Sequence, residues 1–434
     1  MRILMVSDVF PPYGKGGAAW SSHALARALL ARGHQVSAIV PVGGAHGTTF
    51  SDTEGVATLA MGYWAPRLPI LQNYFRHERL WGTLAQVICS EARRGARPDL
   101  IHAQHVQSAP AAVLAGRALG LPVLVTVRDH WPWHYFATGL HGDRVPLPGS
   151  NWATIATELP ARLGPIRGAL AIAATPYMLA HMRRRVAYLA QADAVIAVSS
   201  YIAQRLAPIV PAPRIHVLPN MVDSATNDDL AATPPQMTWQ GRLLLFAGKL
   251  EANKGAGLLP AIFRALQQQM PTGLPPFTLV IAGDGALRKG LQTELDALGI
   301  MTIFLDWVGH TEMLRLMAHC DLLLFPSQWG EPLSRVLLEA SALGAPIIAM
   351  PTGGTADIIH DGLTGLLATT PQRFAARMAE LLTDEAARKR LGSTARQMAR
   401  ARFDPVTLIP RYEALYASLL SPAQLASKRS KANP

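Results

Sequence analysis

Two series of short apolar runs, each run followed by a helix-spaced stretch and the series separated by one polar segment, constrain this chain more than any other feature. In the first series Ile3–Val6, Val36–Val40, Leu100–Ala103, Val123–Val127, Ala194–Val198 and Ile215–Leu218 read as strands, and the spacing predicts helices over 18–32, 109–119 and 200–207. The second series runs through Leu243–Ala247, Leu279–Ala282, Ile303–Leu305, Leu322–Phe325 and Ile347–Ala349. Strands without apolar/polar alternation are buried on both faces, which a parallel sheet covered by helices provides. The chain therefore reads as α/β throughout, in two similar units. Asn227–Gln240, polar and bearing Pro234 and Pro235, reads as the linker. The expected organisation is a first unit over 1–225, a second over 240–405, a helix over 406–420 and a basic tail over 421–434.

One stretch, about 131–190, breaks the rhythm of the first unit and reads as an insertion. It holds Trp131, Trp133, Tyr135, Phe136 and Trp152, then an apolar run, Ala169–Ala180, that ends in His181-Met182-Arg183-Arg184-Arg185. Apolar residues beside a basic cluster suit an anionic membrane surface, and equally a buried helix with a solvated end. Residues 1–225 hold 20 Lys and Arg against 11 Asp and Glu, so most of the net charge of +11 lies in the first half. That excess points to an anionic partner such as a lipid head group, a polyanion or a phosphorylated acceptor. No nucleic-acid partner is expected. The only cysteines, Cys89 and Cys320, form no CxxC or Cys/His pattern, so a disulfide scaffold and structural zinc are not indicated and a reducing cytoplasm fits. The apolar start Ile3–Val6 is too short for a signal peptide, and no apolar run approaches the ~18 residues of a spanning helix.

The candidate chemistry lies at the carboxyl ends of second-series strands, where open α/β sheets bind ligands. Gly248-Lys249 and Lys254-Gly255 follow the first of these strands and place two ammonium groups in one loop, suited to a diphosphate. Gly283-Asp284-Gly285 follows the next and lets backbone approach a ligand. Trp307 and Val308 follow the third and suit a flat base. The segment Gly330-Glu331-Pro332-Leu333-Ser334 through Glu339 sets two carboxylates eight positions apart. Pro332 suits a first helical position and Gly344 a stop, so the spacing predicts one helix with Glu331 at its tip and Glu339 roughly 12 Å deeper. In the first half, Gly14, Gly16 and Gly17 open a helix and suit an anionic group, but miss the GxGxxG spacing of dinucleotide folds. Taken singly, each element has a plain structural account: a solvated loop, a turn, a cap. Together they describe one long ligand, a nucleotide diphospho-sugar.

The order Gly-Lys…Lys-Gly, Gly-Asp-Gly, Val-Gly, Pro-Ser…Gly-Glu-Pro…Glu, then Gly353-Gly354 and Asp361-Gly362-Leu363-Thr364-Gly365 resembles the retaining glycosyltransferases of family 4. Val217-Leu218-Pro219-Asn220-Met221-Val222-Asp223 resembles that family's turn before the linker. The resemblance covers essentially the whole chain and implies the GT-B fold, two Rossmann-like parallel-sheet domains facing each other across a cleft. It implies acceptor binding by the first domain, donor binding by the second, and a last helix that crosses back to the first. It also implies Glu331 on the donor sugar, Glu339 on the ribose, Lys249 and Lys254 on the diphosphate, and Gly16 and Gly17 over the phosphates. Lys249 stands where arginine is usual. Ile101-His102-Ala103-Gln104-His105 and Thr126-Val127-Arg128-Asp129-His130-Trp131 resemble two histidine-bearing motifs with Gln104 and Arg128 in histidine places, which leaves His105 and Asp129 as the catalytic candidates there.

The expected activity is hexosyl transfer with retention from a nucleotide diphospho-sugar, UDP-sugar before GDP-mannose, to a saccharide or lipid-linked hydroxyl in cell-surface glycan assembly. No Asp-x-Asp triad stands out, so neither a metal nor another cofactor is expected. Localisation is expected in the cytoplasm, with peripheral contact to the inner membrane face. Two other readings remain open at the sequence level: a non-catalytic polyanion-binding protein and a GT-B-like nucleotide-sugar epimerase.

Overall fold

Each predicted strand of the first series falls beside another in a single sheet. The computed structural model describes residues 1–14, 16–142, 144–269 and 274–420; the basic tail over 421–434 lies outside them. The chain divides into an amino-terminal unit, Met1–Gly139 with Pro148–Met221 and the described residues from Pro405, and a carboxy-terminal unit, Val222–Asp404 with Leu140–Leu147. Among the described residues no helix is long and apolar enough to cross a membrane.

In the amino-terminal unit the strands are β1 (Arg2–Val6), β2 (Gln35–Gly43), β3 (Thr48–Thr53), β4 (Val56–Tyr63), β5 (Leu100–Ala103) and β6 (Val123–Val127). After a short ribbon of β7 (Leu140–His141) and β8 (Val145–Pro146), which is grouped with the carboxy-terminal unit, come β9 (Ala194–Ala197) and β10 (Ile215–Val217). The sheet order is β10-β9-β6-β5-β1-β2-β4-β3. Neighbours run parallel except β3 with β4. This hairpin departs from the expected pattern because β3 is short of apolar residues: all six of its residues face solvent at least in part. Its turn carries positive φ at Glu54 (51°) and Gly55 (83°), with the Gly55 N–H donating to Asp52 Oδ1 at 2.8 Å, as a tight hairpin requires.

The insertion contains helices Trp152–Leu163, Pro165–Ala171 and Thr175–Leu189, so the apolar run Ala169–Ala180 spans two helices and the short turn between them. Helix Pro405–Ser418 completes the amino-terminal unit. Its Tyr416 and Tyr412 enter the core with Ile3, Met5 and Leu25, the Tyr416 hydroxyl meets His102 Nδ1 at 2.9 Å, and Glu413 accepts from Arg32.

In the carboxy-terminal unit β11 (Arg242–Ala247), β12 (Phe277–Ala282), β13 (Thr302–Leu305), β14 (Leu322–Phe325), β15 (Ile347–Ala349) and β16 (Leu366–Leu367) form a wholly parallel sheet ordered β13-β12-β11-β14-β15-β16. Leu244, Phe246, Leu279, Ile281, Leu322 and Leu324 meet one helical layer in a buried cluster. The expected linker over 227–240 is partly helical: Asp223 caps helix Ser224–Ala231 by accepting from the Thr226 N–H at 3.0 Å. Asp at an N-cap starts a helix whatever the polarity of the residues that follow.

Candidate functional site

The carboxyl ends of β11, β12 and β14 bring most of the predicted donor residues onto three abutting loops of the carboxy-terminal unit. Gly283 has φ 148°, and a Cβ there would lie 2.0 Å from the Gly248 carbonyl oxygen. The two loops are further joined by Leu250 N–H donating to the Asp284 carbonyl at 3.0 Å. Gly255 has φ 73°, and a Cβ there would lie 1.8 Å from the Pro326 carbonyl oxygen, so the lysine loop packs backbone to backbone on the loop carrying Glu331.

That packing aims Lys254 at Glu331. Its Nζ lies 2.5 Å from Glu331 Oε1, with Ser327 Oγ donating to the same oxygen at 3.1 Å. Lys254 also sits 4.4 Å from the centre of the Trp329 ring. Glu331 is buried, whereas Lys254 keeps a quarter of its side chain in solvent. The Asn253 carbonyl holds the loop by accepting from the Gln328 and Trp329 N–H groups, and Asn253 Oδ1 is buried with no hydrogen-bond partner.

The single-helix expectation for the two carboxylates is corrected. Helix Arg335–Leu343 starts after Ser334, whose Oγ accepts from the Leu337 N–H, so Glu331, Pro332 and Leu333 belong to the preceding loop. The reason is local: Glu331 N–H donates to the Trp329 carbonyl at 2.7 Å and its own carbonyl accepts from Gly354 N–H at 2.6 Å. Those bonds tie its backbone to the Gly353–Gly354 turn. Glu339 does lie within the helix, buried, with Oε1 2.6 Å from Arg335 Nη2 and 3.2 Å from His310 Nε2. Burial works against its charge, but the His310 hydrogen bond and the Arg335 guanidinium prevail and hold its carboxyl below the usual range.

The remaining predicted donor residues are more open. Lys249 is exposed and only 3.8 Å from Glu251 Oε1, apart from the Lys254 cluster. Trp307 stands 82% exposed with Val308 partly covered beside it, and Asp284 faces solvent.

A second constellation occupies the amino-terminal unit at the ends of β1, β5 and β6. His105 lies between two carboxylates: Nδ1 is 3.2 Å from Asp8 Oδ2 and Nε2 is 2.7 Å from Asp129 Oδ2. Asp8 also accepts from the Gln107 and Ser108 N–H groups at 2.7 Å each, at the start of helix Ser108–Leu119. Burial opposes charge on His105, but Asp129 and Asp8 overcome it and raise the imidazolium pKa to about 10. Both ring nitrogens are therefore committed to carboxylates. Asp8 was not among the predicted residues. The signal was its place two residues beyond the first buried strand, the same strand-end position that marks the other candidates.

The two departures from the family pattern meet each other. Arg128 Nη2 donates to Gln104 Oε1 at 2.5 Å, and Arg128 Nη1 to Asn220 Oδ1 at 2.6 Å. Gly16 caps helix Gly17–Ala31 at φ 105°, and both glycines are exposed, leaving the first-turn amides accessible.

Two parallel-sheet units, each with a polar constellation at its strand ends, define a GT-B-type architecture, and comparison with known proteins agrees. The family model for glycosyl transferases group 1 matches residues 238–398, and that for glycosyltransferase family 4 matches residues 15–226. The chain belongs to glycosyltransferase family 4 and has the GT-B fold. A glycogen synthase of Mycobacterium tuberculosis is 26% identical, covering 100% of this chain and 97% of that protein. Among solved structures, Anabaena Alr3699/HepE in complex with UDP and glucose superimposes with a TM-score of 0.64 at 20% identity, over 96% of this chain and 100% of that one. Sucrose-phosphate synthase from Thermosynechococcus elongatus gives 0.65 at 20% identity, over 96% and 99%.

Proposed function

We propose that this protein is a retaining hexosyltransferase. It takes a hexosyl group from a nucleotide diphospho-sugar, a UDP-sugar before GDP-mannose, and delivers it to a hydroxyl of a saccharide or lipid-linked acceptor in cell-surface glycan assembly. The observation that carries this reading is the Lys254–Glu331–Ser327 cluster on glycine-packed loops at the strand ends of the carboxy-terminal unit. An ammonium and a carboxylate side by side meet the two polar parts of such a donor, diphosphate and sugar hydroxyls. The UDP and glucose bound to the Anabaena protein support a uridine donor.

In this reading Lys254, helped by the exposed side chain of Lys249, neutralises the leaving diphosphate. The amides that follow Gly16 and Gly17 add further positive character. Glu331 accepts from sugar hydroxyls, Glu339 takes the ribose hydroxyls, and Trp307 and Val308 cover the base. Asp129 receives a hydroxyl on the acceptor side, while charged His105 holds that carboxylate in place. Attack comes from the face the diphosphate leaves, so a diphosphate oxygen takes the acceptor proton as the new glycosidic bond forms. No metal or other cofactor takes part. The protein works in the cytoplasm, in peripheral contact with the inner membrane face. Thermal-shift screening of nucleotide sugars with and without magnesium tests the reading: stabilisation by UDP or a UDP-sugar in EDTA is expected. If no nucleoside diphosphate stabilises the protein, the reading fails.

A further inference from the structure

Helix Trp152–Leu163 ends at Gly164, φ 83°, and the chain doubles back into helix Pro165–Ala171. Gly168 faces the first helix so closely that a Cβ there would stand 2.3 Å from Pro160 Cα. This backbone-on-backbone contact fixes which side of the second helix looks inward. Ile166 and Leu170, two residues either side of Gly168, are left 77% and 75% exposed. Leu163 and Trp152 are exposed on the same helical pair. Single exposed apolar residues are ordinary, but several on one short hairpin mark a contact surface. Rolling the helix to hide them would drive side chains into Pro160.

The charges around this hairpin are of one sign. Over 150–190 the exposed charged residues are Arg167, Arg183 and Arg184, while the sole acidic residue, Glu158, is buried against Arg162 Nε at 2.7 Å. The neighbouring segment 64–80 repeats the pattern. Arg67, Arg76 and Arg79 are exposed, and its one acidic residue, Glu78, is held by Tyr177 and His181. Asn73 of this segment donates to the Tyr135 hydroxyl at 3.0 Å, and Tyr135 packs on the cluster formed by Ile155, Leu159 and Met178. Both segments thus belong to one block whose outward charge is positive among the described residues and whose outward apolar groups lack partners.

We propose that the Leu163–Leu170 turn is a membrane-contacting element, seating Ile166 and Leu170 in the interface of an anionic phospholipid bilayer while Arg167, Arg183 and Arg184 meet its head groups. A seven-residue helix is far too short to span, so it lies in the interface plane. Exposed apolar side chains in a block whose exposed charges over 64–80 and 150–190 are all arginine complement a lipid surface better than a second copy of this basic face. The proposal deepens the peripheral-membrane part of the function above and rests on that part alone.

Co-sedimentation of the full-length protein with phosphatidylcholine vesicles and with mixed phosphatidylcholine/phosphatidylglycerol vesicles tests it without any sugar donor. Binding to the mixed vesicles that weakens with salt is expected. Ile166→Glu with Leu170→Glu should lower that partitioning at least ~10-fold while leaving the melting temperature and UDP binding unchanged. Arg183→Glu with Arg184→Glu should lower it through charge alone. Failure of the wild-type protein to bind anionic vesicles at low salt would overturn the proposal, and so would equal binding by the Ile166/Leu170 variant. A self-associated wild-type protein that the same variant makes monomeric would overturn it too, by assigning the face to a second copy. Loss of transfer with membrane binding intact bears on the enzyme reading and leaves this one standing.

Discussion

Glu331→Gln separates a catalytic carboxylate from a structural one. At the observed 2.5 Å separation an ammonium and a carboxylate attract by about 7 kcal/mol at an effective dielectric near 20. Desolvation of each ion returns several kcal/mol of that. Lys254 retains partial solvent exposure and the Trp329 ring after the change, so the net loss of stability should be about 1–3 kcal/mol. For a unit of this size that lowers Tm by roughly 2–12 °C. The effect on ligands runs the other way. Without its carboxylate neighbour Lys254 offers a full positive charge to the diphosphate, so UDP affinity should hold or rise. Transfer should fall at least ~100-fold, the order expected when one preorganised group is removed from a developing oxocarbenium-like centre. Calorimetric UDP titration beside initial-rate transfer measures both. Transfer within about threefold of wild type would refute the role given to Glu331, and loss of UDP binding in step with transfer would make the carboxylate a loop brace instead.

Three further outcomes follow from other parts of the site. Gly255→Ala should destabilise the carboxy-terminal unit by about 3 kcal/mol or more and weaken UDP binding, because its Cβ meets the Pro326 carbonyl at a positive φ; thermal melting checks it. His105 carries a folded-state pKa of about 10, above its unfolded value, so its stabilising effect is complete below about pH 6.5 and is lost as pH rises towards 10. Urea unfolding from pH 7 to 9 should therefore show a downward slope near 1.4 kcal/mol per pH unit that His105→Gln flattens; an unchanged slope in the variant would remove the imidazolium from the account. Gln104→His and Arg128→His should each cost about 1–3 kcal/mol, and a double-mutant cycle should give a coupling above ~1 kcal/mol, whereas simple additivity would deny the contact any energetic weight.

The strands were legible because burial on both faces leaves an unbroken apolar run, and every such run in the two series became a parallel strand. The β3–β4 hairpin was not, since β3 lies at a sheet edge and writes no apolar pattern; only the Glu54-Gly55 turn marks it. Glycines at strand ends were legible as places of close approach but not as to what approaches, and the backbone contacts of Gly255 with Pro326 and Gly283 with Gly248 needed three dimensions. The carboxylate pair shows the same division. Its spacing placed both residues in the segment that follows β14, yet helical periodicity cannot see that Glu331 is held by the Gly353–Gly354 turn, which lies more than twenty positions away.

The amino-terminal constellation carries the argument furthest, because there the departures from the family pattern explain one another. A histidine in place of Gln104 or Arg128 would bring one titratable ring to the ends of β5 or β6. The pair in this chain brings instead a bond between an amide oxygen and a fixed guanidinium, extended to Asn220. An arginine does not titrate in the working range, and its charge helps burial keep His102 neutral, with a pKa lowered to about 3. Neutral His102 is then free to bridge Thr126 and Tyr416 at 2.7 and 2.9 Å, tying the sheet to the helix that completes the unit. Of these two histidines the proton-bearing role falls to His105, and with both of its nitrogens donating to carboxylates it acts as a fixed cation that positions Asp8 and Asp129. On that logic the pH-rate profile of transfer should lack a limb near pH 6.5 from either histidine, and such a limb, abolished by His105→Gln, would show that His105 acts as a base after all.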